Sequence, residues 1–179
     1  MKYFIRIELC RSKEGLFISQ RKYALDLLKD VGAYGGRTAK IPMEDVYKVP
    51  REGEIEDNRL FYDPKLYRKL VGKLIYLTIT SPDICFVVNQ VSQHMQAPRE
   101  HHWRMVERVL MYLNGTQGLG IWMGVNKSTG VVGYCDAAWA GDRADRRSTT
   151  GYWTFIGGNM VTWKSKKHKV VSCSSAEAA

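Results

Sequence analysis

Gly133-Tyr134-Cys135-Asp136-Ala137-Ala138-Trp139-Ala140-Gly141-Asp142 is the stretch on which the fold of this chain turns. Aromatic and small residues surround Asp136, and the segment 131–139 reads as a strand that carries this acid, its only one, on one face. Two more strands are expected downstream, over 149–156 and 160–164, with Gly157-Gly158-Asn159 as the tight connection of an antiparallel hairpin. A basic run follows, Lys164, Lys166, Lys167, His168 and Lys169, and then Val170-Val171-Ser172-Cys173, which extends or resumes a strand. Ser174 and Glu177 have the spacing of a capping box, in which the cap and the third helical residue satisfy each other's backbone donors. The sequence stops two residues later, so a sheet of about three strands is expected, with one face to be covered by the preceding residues or by a packing partner.

Upstream of this sheet the period changes. Tyr3 to Leu9 reads as a strand, Ser12-Lys13-Glu14-Gly15 as a turn and Leu16-Phe17-Ile18 as its returning arm. Ser19 is placed to cap a helix in which Ala24, Leu27, Leu28 and Val31 fall on one side, and Gly32 stops it. From Ala33 to Phe61 the pattern dissolves into a long exposed connection, with Gly35-Gly36, Pro42, Pro50 and the acids Glu52, Glu54, Glu56 and Asp57. Asp63-Pro64 restarts helix, with Tyr67, Leu70, Val71 and Leu74 as its stripe. Ser81-Pro82-Asp83 breaks and recaps the chain in the same way, ahead of Ile84, Val87, Val88, Val91 and Met95. Pro98 opens a third helix, with Trp103, Val106, Leu110 and Leu113 inward and Arg99, Arg104 and Arg108 mostly outward, ended by Asn114-Gly115. The five tryptophans, at 103, 122, 139, 153 and 163, are expected in the core rather than as base-stacking platforms. The fold class is α+β: a hairpin plus amphipathic helices over 1–117, then a truncated antiparallel sheet over 118–179.

The formal charge of +9 favours a polyanionic partner. No run of about 18 apolar residues exists to span a membrane, and Arg6 and Glu8 interrupt the first apolar stretch too early for a signal peptide. An intracellular location, cytoplasmic or nuclear, is therefore expected, without membrane contact. Cys10, Cys85, Cys135 and Cys173 lack Cys-x-x-Cys spacing, and the adjacent His101 and His102 point in different directions on a helix, so no zinc site is expected. Idle or buried thiols in a reducing compartment fit better.

Several segments, taken in order, resemble the Pol polyprotein of copia-type LTR retrotransposons. They are Lys2-Tyr3-Phe4 with Gly15 to Lys22, the run Tyr67 to Leu77 followed by Ser81-Pro82-Asp83-Ile84, and Pro98-Arg99-Glu100-His101-His102-Trp103 with Tyr112 to Thr116. Gly133 to Asp142, Asp145 to Tyr152 and Thr162 to Lys167 continue the series. The resemblance covers nearly the whole chain and implies the C-terminal region of a reverse transcriptase (thumb and connection-like) over 1–117, followed by the N-terminal part of a ribonuclease H over 118–179. The parent activity it implies is RNA-directed DNA synthesis and hydrolysis of the RNA strand in RNA–DNA hybrids, with Mg2+ as cofactor and the hybrid as partner.

The resemblance also carries site residues. It places the first metal-binding carboxylate of ribonuclease H at Asp136, as a remnant catalytic ligand. The family's Asp-Ala-Asp-Trp appears here as Asp136-Ala137-Ala138-Trp139, and its Ser-Ser-Ala-Glu-Ala-Glu ends here with Ala179 at the second Glu. Glu177 cannot replace that acid, because residues two apart on a helix point about 200° from each other. The Tyr-x-Asp-Asp segment of the polymerase centre is missing from the chain. One carboxylate does not organise two metal ions, so the chain is expected to be catalytically inactive alone. Phosphate contacts are expected from Lys164, Lys166, Lys167 and Lys169, extended by Arg146 and Arg147, unless these lysines only guard a solvated strand edge. The alternative function is a non-catalytic nucleic-acid- or protein-binding module, reused by a host or as an effector-like protein.

Overall fold

The computed structural model describes residues 2–43, 59–125, 128–141, 145–174 and 177. Strands β1 (Lys2–Phe4), β2 (Ile7–Arg11), β3 (Gly15–Ser19) and β4 (Ile121–Gly124) form one antiparallel sheet in that order. Helices α1 (Arg21–Asp30), α2 (Pro64–Leu77), α3 (Cys85–Ser92) and α4 (Glu100–Gly115) follow, and β5 (Val131–Ala138), β6 (Thr149–Ile156) and β7 (Asn159–Lys167) form a second antiparallel sheet, ordered β5-β6-β7. The architecture is thus mixed, with helices between two antiparallel sheets. β4 lies beyond residue 117 yet pairs with β3, so the chain completes the first sheet before it builds the second.

The helices follow the expected stripes. Asp63 caps α2, its carboxylate accepting from the Lys65 and Leu66 amides, and Pro64 takes the first helical position where no donor is needed. Tyr67, Leu70, Val71 and Leu74 are buried against Ile84, Val87, Val88 and Val91 and against Val106, Val109, Leu110 and Leu113 of α4. Tyr67 also donates its hydroxyl to the Val91 carbonyl at 2.7 Å, which satisfies the one polar atom of a fully buried ring.

Several expectations are corrected. Tyr3 to Leu9 is two strands, because Ile5 (φ 46°) and Arg6 (φ 60°) are both left-handed and form a two-residue hairpin turn between Phe4 and Ile7. Neither residue is a turn former, so the sequence shows no break there. Ser19 belongs to β3 rather than capping α1, and its hydroxyl donates to Glu8. The α1 terminus is served from a neighbouring strand instead, as the Glu8 carboxylate of β2 accepts the Lys22 amide at 3.2 Å. Pro82–Ile84 is a 3-10 turn without a side-chain cap, and Asp83 accepts the Tyr112 hydroxyl rather than capping α3. Val170 to Cys173 is not strand.

The stretch after α1 is more anchored than its composition indicates. Asn114 of α4 accepts from the Gly35 amide and donates to the Gly36 carbonyl, and the Ala39 amide reaches the Met111 carbonyl. Phe61 is buried, with its amide bonded to the Pro98 carbonyl. The acids at 52, 54, 56 and 57 lie outside the described residues.

Candidate functional site

Because side chains alternate across a strand, the registers of β5, β6 and β7 assign the paired residues of the second sheet to its two faces. One face carries Val132, Tyr134, Asp136, Trp153, Phe155, Trp163, Ser165 and Lys167, and the other carries Cys135, Tyr152, Thr150, Lys164 and Lys166. Gly157 (φ 55°) and Gly158 (φ 82°) close the β6–β7 hairpin, with Ile156 opposite Asn159. Left-handed geometry at both central positions is what such a turn requires, and glycine adopts it without strain.

Asp136 stands exposed on the aromatic face, opposite Gly151, whose missing side chain leaves the carboxylate clear. Among the described residues no three His, Cys, Asp or Glu side chains gather where they could hold a metal ion. Asp136 supplies one carboxylate, whereas two-ion hydrolysis needs about four. The donor set of the described residues therefore does not fit a magnesium pair.

The basic candidates are not brought together with Asp136. Lys164 and Lys166 are exposed on the opposite face, directly across from Tyr152 and Thr150. Lys167 shares the face of Asp136 but is largely covered and paired with Asp145 at 2.9 Å. Arg147 lies 3.6 Å from the same carboxylate, so Asp145 engages two of the expected cations. Arg146 is exposed in a left-handed conformation (φ 57°), and Lys169 is exposed beyond β7. Lys164, Lys166, Lys169 and Arg146 are the exposed members of the expected set, open to solvent. The Glu177 amide donates to the Ser174 hydroxyl as the expected box requires, while the Glu177 carboxylate accepts from the Cys173 amide, one residue before the cap.

Of the five tryptophans, Trp103 packs against the hydrophobic core, and the other four are not part of it. Trp122, Trp139 and Trp153 are 40–49% exposed, and Trp103 and Trp163 are half-buried. Trp163 donates its indole N–H to the Thr78 carbonyl at 2.7 Å, tying β7 to the end of α2. Asn159 bonds both backbone groups of Gly124 and so joins the two sheets.

One cluster escaped the sequence reading. The rings of His94 and His102 stack with centroids 3.6 Å apart, and His101 leans against His102 at 3.9 Å, so the adjacent histidines do meet. The signal in the sequence was Pro98, which turns the chain so that the end of α3 lies beside the first turn of α4.

No helix among the described residues is long and apolar enough to cross a membrane. No protein-family model matches the chain, and no solved structure matches it. The chain is 39% identical over 178 residues, 99% of its length, to the retrovirus-related Pol polyprotein from transposon RE2 of Arabidopsis thaliana, of which it spans 12%. It is 37% identical over 175 residues to an uncharacterised mitochondrial protein of the same plant, covering 71% of that protein. Over 112 residues it is 42% identical to the secreted RxLR effector protein 161 of Plasmopara viticola, covering 79% of it. Near-complete coverage by the transposon polyprotein, over both sheets and the helices between them, decides the affiliation: the chain belongs to the retrovirus-related Pol polyproteins of transposons.

Proposed function

We propose that this chain is the stretch of a copia-type Pol polyprotein that runs from the C-terminal part of the reverse transcriptase, residues 1–117, into ribonuclease H, residues 118–179. Within the parent protein it serves RNA-templated DNA synthesis and cleavage of the RNA strand of a hybrid. As a 179-residue chain it binds nucleic acid through phosphate contacts and does not cleave it. The observation that supports this most is the 39% identity to a transposon Pol polyprotein along 99% of the chain. The exposed Lys164 and Lys166 support the phosphate contacts, since ammonium groups give sequence-blind, salt-sensitive affinity. Asp136, an exposed carboxylate on β5, is the position that would take part in magnesium binding once further acids stand beside it.

The test is titration of a labelled RNA–DNA hybrid with the chain between about 50 and 200 mM salt, where each phosphate contact adds roughly 0.9 to the log–log slope. Lys164→Ala with Lys166→Ala is expected to lower that slope by about two. RNA fragments appearing in the presence of Mg2+, and disappearing with Asp136→Asn, would refute the non-catalytic part. A second reading is a protein-binding module without chemistry, reused as an effector-like protein; what supports it is the similarity over 112 residues to the secreted RxLR effector protein 161 of Plasmopara viticola. A weak affinity that does not change with salt would move the assignment to it.

A further inference from the structure

The start of α4 is held by groups that work only in their neutral state. His102, 6% exposed, sits three residues into the turn, and its Nδ1 accepts the backbone N–H of Arg99 at 3.0 Å. Glu or Gln usually fills this reciprocal role. An imidazole fills it only when Nδ1 carries no proton. The ring is stacked face to face on His94 (3.6 Å, 13° between planes) and leans on His101 (3.9 Å, 58°), so three of the four histidines of the chain lie in one pile.

The same turn receives the chain after the 44–58 segment. Leu60 pairs with Arg99 as an isolated antiparallel bridge, the Phe61 amide donates to the Pro98 carbonyl at 2.9 Å, and the Glu100 amide donates to the Arg59 carbonyl at 3.0 Å. Phe61 then stacks on Trp103 at 4.5 Å. If the first turn of α4 frays, Glu100 and Arg99 move and this bridged segment loses its partner.

From this geometry we infer that the His94–His102–His101 pile is an acid-operated latch: it keeps the first turn of α4 and the 59–61 segment together while the rings are neutral, and releases both when the solvent turns acidic. Protonation at Nδ1 removes the acceptor from Arg99. It also puts a positive charge at the positive end of a helix dipole and against two further imidazoles. The charged groups on the surrounding elements do not favour the proton. They are Arg59 on the bridged segment, Arg99 ahead of α4, and Arg68 of α2, whose guanidinium donates to the Met95 carbonyl beside His94. Glu100 in the first turn is the nearby acid on α4 itself, and Tyr67 of α2 engages the Val91 carbonyl. Burial, together with His94, His101 and Arg99, pushes the His102 imidazole down to about 2.

The direction follows from linkage. A histidine held below its free value of 6.5 adds stability that is complete above 6.5 and is lost as pH falls. An opening that returns His102 to the free value becomes about 30-fold more favourable between pH 7.5 and pH 5. The experiment is amide hydrogen exchange at Arg99, Glu100 and Phe61, corrected for intrinsic rates, across that pH range. Protection is expected to fall by about that factor in the natural chain. In His102→Gln, which keeps an acceptor that does not titrate, it is expected to be flat, while core amides of α2 are unchanged in both. A flat profile in the natural chain, or the same fall in the glutamine variant, overturns the latch. If the variant does not fold, titration of the imidazole resonances of the natural chain decides: His102 still neutral at pH 5 supports the latch, and titration near 6.5 sinks it. The latch is independent of the nucleic-acid reading, because none of these readouts involves a ligand.

Discussion

The helical unit and the second sheet are both amphipathic, but they treat their apolar sides differently. Val71, Leu74, Ile84, Val91 and Val106 are entirely buried, closing one face of each helix on the next. On the second sheet Val132, Tyr134 and Trp153 are 40–62% exposed, and every residue of β5 except the half-buried Ala137 is exposed. Helices α2, α3 and α4 satisfy their backbones internally and need only one another, whereas a three-stranded sheet needs a layer on its apolar face. The helical unit meets that sheet mainly at β7, through α3 and the end of α2. The chain therefore joins a closed core to a surface that is patterned for burial and not covered by the described residues.

The sharpest way to break this contrast is to remove volume from each side. Leu74→Ala opens a cavity in a site with no exposure and is expected to cost about 2–5 kcal/mol, read as a lower denaturation midpoint with the slope unchanged. Tyr134→Ala, in a residue 62% exposed on the sheet, is expected to cost less than about 1 kcal/mol. Equal costs would mean that the sheet face is buried in solution, which points to association between chains and is checked by sedimentation at several concentrations.

A second measurement concerns how well the helices are closed at their ends. Asp63→Ala removes the acceptor of the Lys65 and Leu66 amides and is expected to cost about 1 kcal/mol, within the usual 0.5–2 range for such caps. Asp63→Asn keeps an oxygen in place and should recover most of the loss in thermal unfolding. Ser81→Ala, before the 3-10 turn, is the control: that side chain makes no cap bond and its loss should be nearly silent.

Legibility differs along the same line. The stripes Tyr67-Leu70-Val71-Leu74 and Ile84-Val87-Val88-Val91 were readable because a helix repeats every 3.6 residues and buries a continuous row. Asp63-Pro64 and Gly157-Gly158 were readable because their chemistry is local. The hairpin at Ile5-Arg6 was not, because its left-handed residues are held by tertiary contact, including the Tyr76 hydroxyl on the Ile5 carbonyl, rather than by their own preference. The help α1 receives from Glu8 crosses between elements and has no spacing signature. At the candidate site, alternation alone separates Asp136 from Lys164 and Lys166, yet the pairing of Lys167 with Asp145 depends on a turn whose shape the sequence does not announce. The histidine pile is hinted at only by Pro98, because it forms where the chain after α3 meets the first turn of α4.

The bond that ties the sheet to the helices offers a smaller effect. Trp163→Phe keeps the ring against α2 and α3 but removes the donor to the Thr78 carbonyl, and about 1 kcal/mol is expected. The loss should appear mainly as faster exchange in β7, while α2 and α4 keep their protection. A uniform loss over the whole chain would show that sheet and helices unfold as one unit.

The smallest effect is expected at the residue with the largest implied role. Asp136 is exposed and faces a glycine across the strand pair, so Asp136→Asn should change stability by less than about 0.5 kcal/mol. A carboxylate kept for folding would be embedded in partners, as Asp63 is, and its loss would be costly. A carboxylate that folding does not use is free to be judged by binding alone. The asparagine variant should therefore melt with the natural chain while binding Mn2+ no better than it, measured by paramagnetic broadening of the β5 and β6 resonances. Selective broadening around Asp136 in the natural chain, abolished by Asp136→Asn at unchanged stability, would place a cation there and demand a second donor from outside the described residues.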